Sequence, residues 1–164
     1  MNKSTILKEA DLLGLSREII KKGHSMRFQA KGWSMRPFIQ DGDIITVSPT
    51  EDSSIKVGNI IFYRGDENNI IVHRIIKKSR KDGNAVLVVK GDASLSPPEK
   101  VDLKNVLGTV IEVERNEQKK RLDTKFSQTK NLLFAQISPL SKWIYPIGSI
   151  AKQIEQKISG KTPH

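Results

Sequence analysis

A mainly β fold is predicted for this chain, with a short helix ahead of it and an amphipathic helical tail behind. Three observations predict it. Between Ser25 and Val113 apolar residues alternate with polar ones in short runs, the period of a half-buried strand. Turn-forming Gly, Asn and Asp residues separate those runs at close intervals. On either side of this stretch the apolar spacing changes to steps of three and four, the period of a helix.

The 164 residues are 37% hydrophobic and 28% charged, which suits one ordinary domain with a moderate core. Cysteine is absent, so disulfides, thiolate catalysis and Cys-based metal sites are excluded. The three histidines are His24, His73 and His164; with so few, no metal site and no cofactor are expected. Of the net charge of +10, Arg115 to His164 carries +7, a basic tail on a nearly balanced body. Such a tail suits an anionic phospholipid surface or a nucleic acid, or it is a solvated face. It lacks a recognisable nucleic-acid-binding fold, which disfavours the second.

Residues 4 to 22 read as helix, in one piece or two. Ser4 or Thr5 can cap its start, Ile6, Ala10 and Leu13 share a face, Gly14 weakens the middle and Ser16 can recap. Gly23 stands where a helix end needs a left-handed residue. Met26, Phe28 and Ala30 then define a strand that delivers the chain to Gly32-Trp33-Ser34-Met35-Arg36-Pro37. Pro37 rules out regular helix through Arg36. Asp41-Gly42-Asp43 turns into a strand at Ile44 to Val47, and Ser48 to Ile55 reads as a polar loop. Val57-Gly58-Asn59 turns into Ile60 to Tyr63, and a polar turn leads to Ile70 through Ile76, with His73 inside. Asp82-Gly83 marks a hairpin tip. Ala85 to Val89 is a strand ending at Lys90-Gly91-Asp92; Ala93 to Lys100 reads as a Ser/Pro loop, and Val106 to Val113 as the last strand.

Asn116 to Lys130 reads as a basic linker. Leu133, Ile137, Leu140, Ile144, Ile147, Ala151, Ile154 and Ile158 then form a helical stripe, kinked at Pro139 and Pro146. Trp143 and Tyr145 lie among lysines, as at a membrane interface; packing on the β-domain or on another copy is the alternative. The organisation is therefore a helical segment at 1–24, a β-rich domain at 25–114, and a linker with amphipathic tail at 115–164. No secretory signal is seen, and Leu132 to Ile150 is too interrupted to span a membrane, so a cytoplasmic protein, peripheral on a membrane at most, is expected.

The chemistry sits in the β-rich part. A serine is a weak nucleophile without a base in hydrogen-bond reach. Ser34 lies between a glycine and a proline, and His73 is the only histidine of the β-rich part. Asp92 follows in a Gly-Asp pair and could orient the imidazole. Taken singly, each has a structural alternative: a strand histidine in the core, a Gly-Asp turn.

Together, Gly-x-Ser-Met-x-Pro, the following Gly-Asp, a short strand ending in His73-Arg74, and Lys90-Gly91-Asp92 resemble the type I signal peptidases and their relatives, the self-cleaving SOS and phage repressors. The histidine before arginine resembles the archaeal and endoplasmic-reticulum branch. The resemblance covers about Phe28 to Val113. It implies a signal-peptidase-like β-domain and a serine endopeptidase acting on a peptide or protein precursor. Ser34 would be the nucleophile, His73 the general base and Asp92 the Gly-Asp acid. Gly32 stands where many relatives carry a small hydroxyl residue for the oxyanion, leaving more of that task to the Ser34 backbone N–H. Met35 and Pro37 are candidate groove residues. Histidine-type enzymes often place another aspartate a few residues after Gly-Asp, and here that region reads Ala93-Ser94-Leu95-Ser96-Pro97-Pro98-Glu99. A catalytically silent binding module keeps the same motifs, and a self-cleaving regulator is disfavoured because no Ala-Gly site occurs. Oligomeric state is not encoded in any pattern found.

Overall fold

The computed structural model describes residues 9–81 and 84–122. Its first element is α1 (Glu9–Lys21), and Gly23 closes it at φ +82°, as its position after the helix predicts. Ser16 does not recap the helix. Its buried hydroxyl donates back to the Leu12 carbonyl at 2.6 Å, one turn earlier.

Eight antiparallel strands follow: β1 (Met26–Gln29), β2 (Ile44–Ser48), β3 (Ile60–Arg64), β4 (Ile70–Lys81), β5 (Asn84–Lys90), β6 (Glu99–Asp102), β7 (Val106–Arg115) and β8 (Gln118–Arg121). They form a single open sheet in the order β1-β2-β7-β3-β4-β5-β6, with β8 paired to β7. The mainly β fold expected from alternation is the fold observed. Two strands fall outside that expectation. β6 occupies the end of the stretch read as a Ser/Pro loop, and β8 lies in the stretch read as linker. β6 shows one buried apolar residue, Val101, and β8 is exposed at every position, so neither carries the alternation that marks a strand. The hairpin tip at Asp82-Gly83 and the amphipathic tail lie outside the described residues.

β3 sits at the centre and is buried on both faces. Ile60 and Phe62 join Ile45, Val47, Val110 and Ile20 in one apolar cluster, covered by α1; Ile61 and Tyr63 join Ile75, Leu87 and Val89 in the other. Period-two geometry alone separates these two sets. Among the described residues no helix is long and apolar enough to cross a membrane.

Candidate active site

The segment carrying Ser34 is folded back on itself by the acids that follow it. Ala30 N–H donates to the Asp43 carbonyl at 2.8 Å and Gly42 N–H to the Ala30 carbonyl at 2.9 Å, closing the base of the loop. Gly32 has φ +92°, a region costly for any residue with a Cβ, and its N–H donates to Asp41 Oδ1 at 2.8 Å. Asp43 is buried and accepts the Gln40 N–H, while Arg115, from the end of β7, donates to both of its oxygens at 2.8 and 2.7 Å. Burial pushes the Asp43 carboxyl up, but Arg115 and the Gln40 N–H together bring it below its ordinary value. The Asp-Gly-Asp signal is therefore a latch on the loop. The Arg36–Pro37 peptide within it is cis.

Gly91 sets what this loop faces. Arg74 pairs with Lys90 across β4 and β5, and one further step of that register puts Gly91 opposite His73. A Cβ on Gly91 would lie 2.7 Å from the Ser34 carbonyl oxygen and 2.9 Å from Ser34 Cβ. Ser34 thus fills the space that a side chain across from His73 would take. Ala93 N–H holds its carbonyl at 2.8 Å. Directly opposed residues in antiparallel strands have Cβ atoms roughly 5 Å apart, so the Gly91 position against which Ser34 packs lies about that far from His73. No hydrogen bond joins their side chains among the described residues.

The carboxylate on the imidazole is Glu99, at the start of β6. Its Oε1 lies 2.8 Å from His73 Nδ1 and also accepts the Tyr63 hydroxyl proton. Tyr63 Oη is 3.2 Å from the same Nδ1. Tyr63 has one proton and gives it to Glu99, and a carboxylate only accepts, so Nδ1 must carry a hydrogen. The free lone pair of the imidazole is then on Nε2. Burial pushes His73 below its ordinary value of 6.5, against the opposing pull of Glu99 and Asp92. Burial, reinforced by Glu99, pushes the Tyr63 phenol far above its ordinary value, so it keeps its proton.

Asp92, expected to orient the imidazole, is held elsewhere. Arg74 Nε and Nη2 donate to its two oxygens, each at 2.7 Å, and Arg74 Nη1 reaches the Gly58 carbonyl at 2.9 Å. Both side chains are shut off from solvent. Burial pushes the Asp92 carboxyl above its ordinary value while the Arg74 fork pulls the other way. This pair fastens the Gly-Asp turn to β4 and to the Gly58-Asn59 turn, where Asn59 Oδ1 accepts the Lys56 N–H at 2.8 Å. Among the described residues no cluster of His, Asp and Glu could hold a metal ion.

A cavity of about 270 Å³ opens beside Ser34, lined by Phe28, Ala30, Met35, Ile39 and Val72 among others. Of the two groove candidates, Met35 lines this cavity, whereas Pro37 is exposed on the turn and does not. The sequence reading missed Tyr63, whose hydroxyl is hidden in an apolar strand pattern, and passed over Glu99 as part of a loop without the expected aspartate.

The sequence matches the Peptidase S24-like family over residues 3–111, well over half the chain. The chain belongs to that family. Curated relatives of this Peptidase S24-like protein include signal peptidase complex catalytic subunits. That of Eremothecium gossypii is 38% identical over 81 residues, 48% of this chain and 47% of the relative. Those of Scheffersomyces stipitis and Candida tropicalis are 33% and 32% identical over 88 residues, 53% of this chain and 52% of each relative. The Peptidase S24-like chain spans about half the length of the curated relatives it matches, and with them it falls in the signal-peptidase-like superfamily that its motifs resemble.

Proposed function

We propose that the protein is a serine endopeptidase in which Ser34 attacks the carbonyl of a peptide bond and His73 is the general base. Nε2 takes the Ser34 proton as the Oγ–C bond forms, then delivers it to the leaving amine as the C–N bond breaks. Water, deprotonated by the same nitrogen, releases the acyl group from Ser34. Glu99 keeps the proton on Nδ1 and offsets the imidazolium charge. Asp92 acts through Arg74 on the turn that seats Ser34. Gly32 N–H is engaged by Asp41, so the Ser34 N–H is the backbone donor for the oxyanion. The observation that carries this reading is the seat of Ser34 on Gly91, opposite a half-buried histidine whose far nitrogen is held by a carboxylate.

The substrate is an extended peptide or precursor segment. β1 pairs only with β2, and residues 70–73 of β4 pair with β3 alone among the described strands, so two strand edges border the cavity. A peptide adding to such an edge presents alternate side chains to the pocket, which is apolar and of modest volume. Digestion of a peptide library by the wild type, Ser34→Ala and His73→Ala tests the reading. Both variants are expected to lose cleavage; full activity in Ser34→Ala ends it.

The engagement of Gly32 favours one second reading, a groove that binds peptide without cutting, since it leaves a single backbone donor where an oxyanion donor contributes about 3 kcal/mol. Covalent labelling of Ser34 by a small acylating reagent separates the two.

A further inference from the structure

We propose that Tyr63 is a positioning residue that lowers the proton affinity of His73 by drawing on the charge of Glu99. The proposal rests on the reading of His73 as general base. Three side chains meet at one point: Tyr63 from β3, His73 from β4 and Glu99 from β6. Tyr63 is 1% exposed, and its hydroxyl donates to the same Glu99 oxygen that accepts from Nδ1. The Glu99 side chain is 43% exposed and stands on an end strand of the sheet. Tyr63 is thus the buried anchor of an otherwise accessible acid. A carboxylate oxygen with two donors divides its negative charge between them, and what the phenol takes from the 2.8 Å bond to the imidazolium outweighs what its own oxygen returns at 3.2 Å from Nδ1.

The other charged groups near the imidazole are already committed. Lys90 Nζ donates to the Ser94 carbonyl at 2.5 Å, and Asp92 lies in the Arg74 fork. Glu99 is therefore the partner whose influence on His73 can be adjusted locally, and Tyr63 is the group that adjusts it. The effect is to leave Nε2 unprotonated, and so able to accept the serine proton, further into the acid range than the carboxylate alone would permit.

The test is an NMR titration of the His73 ring in the 164-residue chain, read beside the acid limb of kcat/KM. His24 and His164 are the only other histidines, so the signal is assigned by its loss in His73→Ala. Tyr63→Phe keeps the ring and deletes the hydroxyl; the His73 pKa is expected to rise by about half a unit, and the acid limb to move with it. Glu99→Gln is expected to lower it. In the double variant the pKa should equal that of Glu99→Gln, because no carboxylate charge remains to share. An unchanged or lowered pKa in Tyr63→Phe overturns the proposal, as does a Tyr63→Phe shift that persists beside Glu99→Gln. Should Tyr63→Phe fail to fold, fluorotyrosine incorporated in a Tyr145→Phe background replaces only Tyr63, since the chain has two tyrosines. Its more acidic hydroxyl should lower the His73 pKa, and a rise refutes the idea. The titration needs no turnover, so it fails or succeeds independently of the peptidase reading, which Ser34→Ala decides.

Discussion

Replacing Gly91 by alanine tests the seat of Ser34 directly. The added methyl would lie 2.7 Å from the Ser34 carbonyl oxygen, 2.9 Å from Ser34 Cβ and 3.0 Å from Ser94 Cβ, where ordinary contact begins at 3.4 Å. Two of the nearest atoms belong to Ser34 itself, and one is backbone, so no flexible side chain can absorb the clash by turning away. The Ser34 segment must retreat by most of an ångström, and the Ala93 N–H bond to its carbonyl must lengthen from 2.8 Å. Overpacking of this kind costs about 1–3 kcal/mol of stability, or a Tm drop of roughly 2–4 °C per kcal/mol in a chain of this size. A displacement of about 1 Å at a nucleophile costs on the order of 100-fold in rate. The assay is kcat and KM on one cleaved peptide, with thermal melting alongside; kcat should fall about 100-fold and KM much less. Gly14→Ala is the control. Nothing lies within 4 Å of its added methyl, and an exposed helical alanine should add roughly 0.5–1 kcal/mol with activity intact. A Gly91→Ala variant that folds and cleaves within about threefold of wild type would refute the placement of Ser34 against that turn.

Other outcomes follow from the ion pairs. Arg74→Leu strands the Asp92 carboxylate without its partner and should cost about 3–5 kcal/mol, measured by urea unfolding. Arg74→Lys should recover only part of that loss, because an ammonium cannot replace the fork and the Gly58 contact together. Asp43 sits below its ordinary value of 3.8 in the folded state, so its contribution is present above that value and is lost as pH falls through the folded pKa. Arg115→Gln should therefore lower the Tm at neutral pH and flatten the loss of Tm below about pH 4. His73 is held below 6.5 when folded, so the unfolded chain takes up its proton first as pH falls, and stability declines below about pH 6.5. Activity should be level above that range and fall on the acid side. His73→Phe should remove its share of the stability slope, as read by melts across pH 5–8.

The sheet and the neighbourhood of Ser34 were legible for different reasons. Alternation marks β1 and β2, where every second residue turns to the core, and β3 reads as continuously apolar because it has a core on each face. β6 and β8 were not legible: Gln118–Arg121 buries nothing, and Glu99–Asp102 buries only Val101, so their pairing is dictated by neighbouring strands. Ser34 and His73 carried signals in their flanking Gly, Met, Pro and Arg. The carboxylate at the imidazole did not. The Gly-Asp motif pointed to Asp92, but Asp92 is held by Arg74 and the position falls to Glu99, which returns after Pro98 beside β5 with its side chain in reach of His73.

The central strand joins chemistry and architecture in one reading frame. Phe62 fills the interior beneath the helix, and Tyr63, its immediate neighbour, delivers a phenol to the histidine on the reverse side. An inserted or deleted residue near Ile60 would exchange the two, driving a hydroxyl into hydrocarbon and removing it from Glu99 in the same event. Evolution and engineering can therefore retune this strand only by like-for-like replacement. Changes of length must be accommodated in the turns on either side.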